Sequence, residues 1–467
     1  MTAEEFYRSL AGKTVAFCGL GGSNLPLIKL FARHGARVTA RDRRTEEQLG
    51  GTAEELKTLG VRLVTGEGYL DGLGEEIIFR TPGMKYYLPQ LCAARARGAA
   101  VTSEMEVFFD LCPCGIVGVT GSDGKTTTTT IISKILEAAG KRVHVGGNIG
   151  EPLLPRIGDI RPGDAVVAEL SSFQLISMRR SPDIAVVTNI SPNHLDIHKN
   201  MEEYVGAKKN IVLHQNAFGR AVLNADNEIT ASFAQDVRGQ CLEFSRRHPV
   251  KYGAWMDQDG EIFISLPEGT TRVMNASDIR IPGLHNIENY LAAACAVWGA
   301  AGADEITKVA RSFPGVEHRN EFVRKVDGVS YYNDSIGTTP SRTINGALSL
   351  FDRKILLIAG GYDKNIPFDP LGPAIVEKVK TLVLLGQTAP KIEAAVKAAP
   401  RYREGNPAIL HASSLEEAVA LCRANAERGD VVSLSPACAS FGMFPNFEAR
   451  GERFREIVNG LEQTTKK

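Results

Sequence analysis

Residues 115–127 read Gly-Ile-Val-Gly-Val-Thr-Gly-Ser-Asp-Gly-Lys-Thr-Thr, an apolar run that breaks into glycines and then into a threonine-rich stretch. Strand, glycine turn and helix start in that order place a helix N-terminus beside the carboxyl end of a strand, which commits the surrounding chain to an α/β arrangement. Polyphosphate binding at such a turn needs converging backbone N–H groups, a mobile cation and a hydroxyl for magnesium. Gly121 and Gly124 permit the close approach, Lys125 supplies the charge and Thr126 the hydroxyl. The spacing departs from the standard phosphate loop, since Val119 stands where the first glycine belongs and Gly118 comes one residue early. A glycine turn that only caps a helix is the structural alternative.

A chain of 467 residues is too long for one ordinary core, and strand–helix alternation marks out three domains, near 1–106, 107–312 and 313–467. Each is expected to be a largely parallel sheet flanked by helices, Rossmann-like in the first and third and built on the phosphate loop in the centre. Apolar runs Thr14–Cys18, Arg37–Ala40 and Glu76–Phe79 alternate with helix-like stretches in the first; Lys354–Ala359, Thr381–Leu385 and Asp430–Leu434 do so in the third. Between them, Val222–Arg280 reads as a looser segment of short strands and turns. Lys+Arg and Asp+Glu balance at 54 each, so nothing global points to nucleic acid. The absence of a long apolar stretch predicts a cytoplasmic protein with no membrane span. Eight scattered cysteines do not form a disulfide framework, and the one close pair, Cys112 and Cys114, is read as reduced thiols.

The run Asp164–Leu170 ends in Glu169, a carboxylate at the carboxyl end of a sheet strand, where open α/β domains bind ligands. A second run ends at Asn189 and opens into Ser191-Pro192-Asn193-His194-Leu195-Asp196, bringing His194 to the same edge. In the first domain, Gly19-Leu20-Gly21-Gly22-Ser23-Asn24 followed by Asp42 approaches a dinucleotide fingerprint, which makes a nicotinamide-dependent oxidoreductase the rival reading. Asn24 counts against it, because its side chain crowds the helix–strand contact that a third glycine permits.

The joint occurrence, in order, of GSDGKT, ELSSFQL, NHLD, EHR, NDS and SPACAS resembles the Mur ligase family over essentially the whole chain. The resemblance implies an ATP-driven amide ligase that joins D-glutamate to UDP-N-acetylmuramoyl-L-alanine through an acyl phosphate, in peptidoglycan precursor synthesis. It implies ATP contacts from Gly121, Ser122, Asp123, Gly124, Lys125, Thr126, Thr127, Asn286, Asn289, Arg319 and Asp334, with Asp123 where the family's usual residue is asparagine. Two Mg²⁺ sites would use Thr126, Glu169, His194 and a carbamate on Lys208. Catalytic roles fall to Lys125, Glu169, His194, Lys208 and Arg319. The UDP-sugar would meet Gly19, Leu20, Gly21, Gly22, Ser23, Asn24, Asp42, Arg43, Arg44, Thr81, Asn148 and His194, and D-glutamate would meet Thr338, Lys364, Ser440, Asn446 and Phe447. Ile336 stands where a lysine often follows the family's Asp-Ser pair. Small-molecule substrates, a monomer, and closure of the third domain are expected. The alternatives are a relative adding another amino acid, folylpolyglutamate synthase-like chemistry included, and a nucleotide switch without ligase chemistry.

Overall fold

The computed structural model describes residues 1–192, 197–364 and 366–463. Its contacts divide the chain into two compact units, one of residues 1–279 and 285–311, the other of 280–284 and 312–467.

The first unit carries two sheets. Strands β1 (Thr14–Cys18), β2 (Arg37–Asp42), β3 (Arg62–Thr65), β4 (Ile77–Arg80) and β5 (Ala100–Thr102) form an all-parallel sheet in the order β3-β2-β1-β4-β5. The order reverses between β1 and β4, so the crevice for a ligand opens beyond their carboxyl ends, at Gly19–Asn24 and Thr81–Gly83.

The larger sheet contains β6 (Gly115–Thr120), β7 (Val143–Gly147), β8 (Ala165–Glu169), β9 (Ile184–Val187), β10 (Arg220–Asn224), β11 (Gln240–Ser245), β12 (Gly253–Met256), β13 (Glu261–Leu266) and β14 (Gly269–Asn275). Its order is β14-β13-β12-β11-β10-β9-β6-β8-β7, with every pairing parallel except those of β13, which is antiparallel to both β12 and β14. The segment read as loose therefore extends the sheet from β10 to β14; its strands are short and half-exposed, which is why they carry little continuous apolar signal. One apolar core joins both sheets, running from Tyr7, Phe17 and Phe31 through Phe108 to Leu153, Leu154 and Ile157. Arg80, itself buried, crosses from β4 to donate to the Phe173 carbonyl at 2.8 Å and to Ser177 Oγ at 2.7 Å. Those bonds, made by Nη2 and not by Nε, partly offset the cost of burying the charge.

In the second unit β15 (Glu321–Val326), β16 (Val329–Asn333), β17 (Ile355–Ala359), β18 (Val379–Leu385), β19 (Ala408–Ala412) and β20 (Val431–Leu434) make a sheet in the order β15-β16-β20-β17-β18-β19, parallel except at β15. Strand β17 is buried along its whole length, as expected of a central parallel strand covered by helices on both faces. No helix among the described residues is long and apolar enough to cross a membrane.

Candidate active site

The phosphate loop leaves β6 and enters the helix Lys125–Ala138. At Gly121 the backbone φ is +151°, and a Cβ there would lie 1.9 Å from Thr188 Oγ1, so only glycine fits. The loop is held against the end of β9: Ser122 N–H donates to the Asn189 carbonyl at 2.8 Å, Asp123 N–H to Asn189 Oδ1 at 3.0 Å, and Thr188 Oγ1 to the Asp123 carbonyl at 2.6 Å. Ser122 Oγ is 2.9 Å from the Tyr204 hydroxyl on the helix Met201–Leu213. These bonds fix the loop so that Asp123 is exposed at its tip and Gly124, Lys125, Thr126 and Thr127 are half-buried. The Lys125 ammonium folds back onto the carbonyls of Gly121 (3.0 Å) and Ser122 (2.8 Å), the position a bound phosphate would compete for.

Glu169, at the end of β8, is 2% exposed, and its two oxygens face different partners. Oε2 accepts from Thr126 Oγ1 at 2.7 Å and Oε1 from Asn148 Nδ2 at 2.9 Å. Among the described residues no three His, Cys, Asp or Glu side chains converge as a metal cluster. One carboxylate beside a threonine hydroxyl nevertheless fits magnesium, which prefers one or two carboxylates, substrate phosphates and retained waters to an all-protein cage. His194 lies outside the described residues.

Lys208 projects from the helix Met201–Leu213 beneath the same loop, 1% exposed. Its Nζ donates to the Gly121 carbonyl at 2.7 Å and to Thr120 Oγ1 at 3.3 Å. Burial above all, with the Lys125 cation second, holds this amine well below the ordinary lysine range. By contrast Lys209 pairs with Asp236 at 2.5 Å, so the register that brings a lysine to the loop is that of Lys208. Asn289 Oδ1 accepts from Thr128 Oγ1 at 3.1 Å, and its Nδ2 donates to Asn286 Oδ1 at 3.0 Å; both asparagines are buried at the start of the helix Leu284–Val297.

At the smaller sheet of the same unit, Gly19–Asn24 and Thr81 lie at the crevice between β1 and β4. A Cβ on Gly19, where φ is +93°, would stand 2.7 Å from Thr81 Cγ2. Asn24 is fully buried and donates to the Gly19 carbonyl at 2.9 Å, so it ties the turn together from inside. Asp42 Oδ2 accepts from Leu20 N–H at 2.7 Å, and Arg44 Nε reaches Oδ1 at 2.9 Å. Burial works to raise the Asp42 carboxyl, but Arg44 and the two backbone donors outweigh it and leave it lowered. Arg43 and Arg44 are exposed at the rim, as are Gly21 and Gly22, while Ser23 is half-buried.

The second unit gathers its candidates beyond the carboxyl ends of β16, β17 and β20. Asp334 is 3% exposed; Oδ2 accepts from Ser435 Oγ at 2.6 Å and Oδ1 from Asn320 N–H at 3.3 Å. Burial pushes its carboxyl up to about 7 against those hydrogen bonds. Arg319 sits half-buried between His318 and Asn320, both of which adopt left-handed backbone angles. Thr338 follows in the same loop, half-buried. The Gly360–Tyr362 turn after β17 pairs with the loop carrying buried Ser440, through Gly360 N–H to the Pro436 carbonyl at 2.8 Å and Tyr362 N–H to the Ala439 carbonyl at 2.9 Å. Lys364 is exposed beyond that turn, and Asn446 is exposed as the cap of the helix Phe447–Asn459, whose first residue, Phe447, is half-buried. The carbonyl of Ile336 accepts from Arg342 Nη1 at 3.2 Å, so a cation does stand beside this loop, supplied from a later residue.

The residue that sequence reasoning missed is Arg450, 3% exposed. Its guanidinium donates to Ser335 Oγ (3.0 Å), the Ser335 carbonyl (2.8 Å) and the Cys438 carbonyl (3.1 Å), binding two candidate loops together. No motif marks it, because a helix arginine ordinarily reads as a solvated charge.

Residues 119–297 match the Mur ligase middle domain, and residues 318–438 match the Mur ligase glutamate ligase domain. The chain is 54% identical over 461 residues to the UDP-N-acetylmuramoylalanine–D-glutamate ligase of Acetivibrio thermocellus, covering 98% of each. It is 49% identical over 462 residues to the enzyme of the same name from Ruminiclostridium cellulolyticum, covering 98% of this chain and 99% of that one. Among solved structures, UDP-N-acetylmuramate-alanine ligase from Thermotoga maritima shares the fold, with a TM-score of 0.55 at 17% identity over 96% of this chain and 99% of that one. With full-length identity of that order, the chain belongs to the Mur ligases, in the family of the UDP-N-acetylmuramoylalanine–D-glutamate ligases.

Proposed function

We propose that this protein uses ATP to join D-glutamate to UDP-N-acetylmuramoyl-L-alanine, a step in making peptidoglycan precursors, and that it does so as a cytoplasmic monomer. The observation that carries the reading is the convergence of Lys125, Thr126, Glu169 and Lys208 on one phosphate loop in a chain 54% identical throughout to a ligase of that name. We assign residues 1–106 to the UDP-sugar, 107–312 to ATP and 313–467 to the incoming amino acid.

A carboxylate does not react with an amine at neutral pH, so its oxygen must first take the ATP γ-phosphoryl group. The resulting acyl phosphate is open to attack by the D-glutamate amine, with phosphate as leaving group. Positioning and charge stabilisation dominate phosphoryl transfer. Lys125, released from its loop carbonyls by the incoming phosphates, spreads the developing negative charge, and Arg319 adds a second cation with planar donors suited to phosphate oxygens. Thr126 and Glu169, with His194, would hold magnesium, which when bound neutralises charge on the phosphates. We further propose that Lys208 carries a carbamate and serves a second magnesium. What supports this is its burial and depressed basicity, since only a neutral amine adds carbon dioxide. Leu20, Asp42, Arg43, Arg44 and Thr81 line the crevice assigned to the nucleotide sugar, with Asn148 placed by its bond to Glu169. Thr338, Lys364, Ser440, Asn446 and Phe447 are assigned to D-glutamate, whose second carboxylate requires a cation and hydroxyl donors.

The test is phosphate release from ATP with UDP-N-acetylmuramoyl-L-alanine and D-glutamate, L-glutamate, L-lysine or no amino acid, with product identified by mass. Release and product with D-glutamate alone is expected. Product with another acceptor would overturn the substrate assignment, and no product with any acceptor would overturn the ligase reading.

A further inference from the structure

Cys112 and Cys114 flank Pro113 in the short connection between the helix Glu104–Leu111 and β6. Their sulfurs are 3.9 Å apart, close to contact, and both side chains are half-buried while Pro113 and Gly115 are exposed. Proline fixes its own φ and carries no N–H, which restricts the chain between the two cysteines and keeps the thiols near one another. All eight cysteines are free, and four of them, Cys18, Cys295, Cys422 and Cys438, are buried. A buried thiol is inert to solutes, whereas this pair is both accessible and mutually adjacent.

We propose that Cys112 and Cys114 form a dithiol modification site that small-molecule disulfides convert to an intramolecular disulfide. Cys112 is the attacking thiol. The hydrogen bond from the Cys114 thiol lowers the pKa of Cys112 more than burial raises it, the neighbouring Arg180 assists and Asp183 opposes; the pKa of Cys114 is correspondingly raised. Arg180 reaches this corner by donating to the Asp110 carbonyl at 3.3 Å, and Asp183 is itself engaged by the Ile116 N–H at 2.8 Å.

The reaction balances in two exchanges. Cys112 loses its proton to water and its thiolate attacks one sulfur of glutathione disulfide, breaking that bond and expelling one glutathione thiolate. Cys114 then loses its proton and attacks Cys112 Sγ, expelling the second glutathione. Two electrons and two protons leave the protein, and one disulfide becomes two thiols. Closure brings the sulfurs from 3.9 Å to about 2.05 Å at the foot of β6, the strand that delivers the phosphate loop.

The tryptic peptide Gly98–Lys125 contains these two cysteines and no others, so the full-length protein can be tested directly. It is equilibrated in glutathione buffers from fully reduced to fully oxidised, quenched with iodoacetamide and digested. The expected result is a peptide carrying two alkyl groups under reducing conditions and, under oxidising ones, an unalkylated peptide about 2 Da lighter than the free dithiol. The Cys114→Ser variant should accumulate a glutathione adduct on Cys112, a gain of about 305 Da, and Cys112→Ser should react at least about tenfold more slowly. Two alkylatable cysteines at every glutathione ratio would overturn the proposal. Equal glutathionylation rates in the two variants would overturn the assignment of Cys112 as attacker.

Discussion

Replacing Gly121 with alanine tests the geometry on which the phosphate loop depends. The added Cβ meets Thr188 Oγ1 at 1.9 Å, the Asn189 carbonyl oxygen at 3.1 Å and Asn189 N at 3.2 Å, at a φ of +151°. Thr188 cannot swing away freely, because its hydroxyl donates to the Asp123 carbonyl at 2.6 Å and has the Thr120 carbonyl as an alternative acceptor at 3.3 Å. Backbone strain costs about 1–3 kcal/mol, and overpacking a further 1–3 kcal/mol or so, giving about 4 kcal/mol for Gly121→Ala. Thr188→Ala alone should cost about 1 kcal/mol, since the Asp123 carbonyl keeps a second donor in Asn189 Nδ2. The double variant loses the worst contact, so it should be about 2 kcal/mol more stable than the sum of the single changes implies. Urea unfolding followed by tryptophan fluorescence reads this directly, because both tryptophans, Trp255 and Trp298, lie in the unit that contains the loop. Additivity within about 0.5 kcal/mol, or a Gly121→Ala protein as stable as wild type, would refute the reasoning.

Glu169→Gln keeps an acceptor for Thr126 but removes the charge assigned to magnesium; phosphate release should fall by about 100-fold and require more Mg²⁺, and an unchanged Mg²⁺ titration would count against the role. Lys208→Met should abolish ligation while sparing the fold. Because the folded amine is depressed, wild-type stability falls as pH drops below the unfolded lysine value of about 10.4, so the advantage of the Met variant in urea melts should be larger at about pH 7 than at about pH 10. For Asp334, raised from 3.8 to about 7, the folded state holds the proton more tightly than the unfolded one, so wild-type stability declines as pH rises across that interval and levels off above it. Asp334→Asn removes the dependence; the stability difference between the two proteins should change by up to about 4 kcal/mol between roughly pH 4 and pH 8, and a constant difference would show that the carboxyl is not so perturbed.

The α/β class and the strand runs at Thr14, Gly115, Lys354 and Thr381 were legible in the sequence because central parallel strands are buried on both faces and read as unbroken apolar runs. The strand, turn and helix of residues 115–127 and the position of Glu169 at the end of β8 were legible too, since they follow from residue type at fixed local spacing. Strands nearer the sheet edges were not: β3, β5 and β19 are short and partly exposed, and the β15–β16 hairpin mixes polar with apolar residues.

What the sequence determined, then, was the local chemistry: which segments become strands and helices, and that Lys125, Thr126 and Glu169 are the residue types that polyphosphate and magnesium need. Tertiary structure alone decided which residues meet. Lys208 is distant in sequence from Gly121, yet bonds to its carbonyl at 2.7 Å because the helix Met201–Leu213 packs under β6. Arg450 clasps Ser335 and Cys438 for the same reason. A lysine or arginine on a helix has no sequence signature for burial; its environment, and with it its charge state, comes into being only when remote segments close around it.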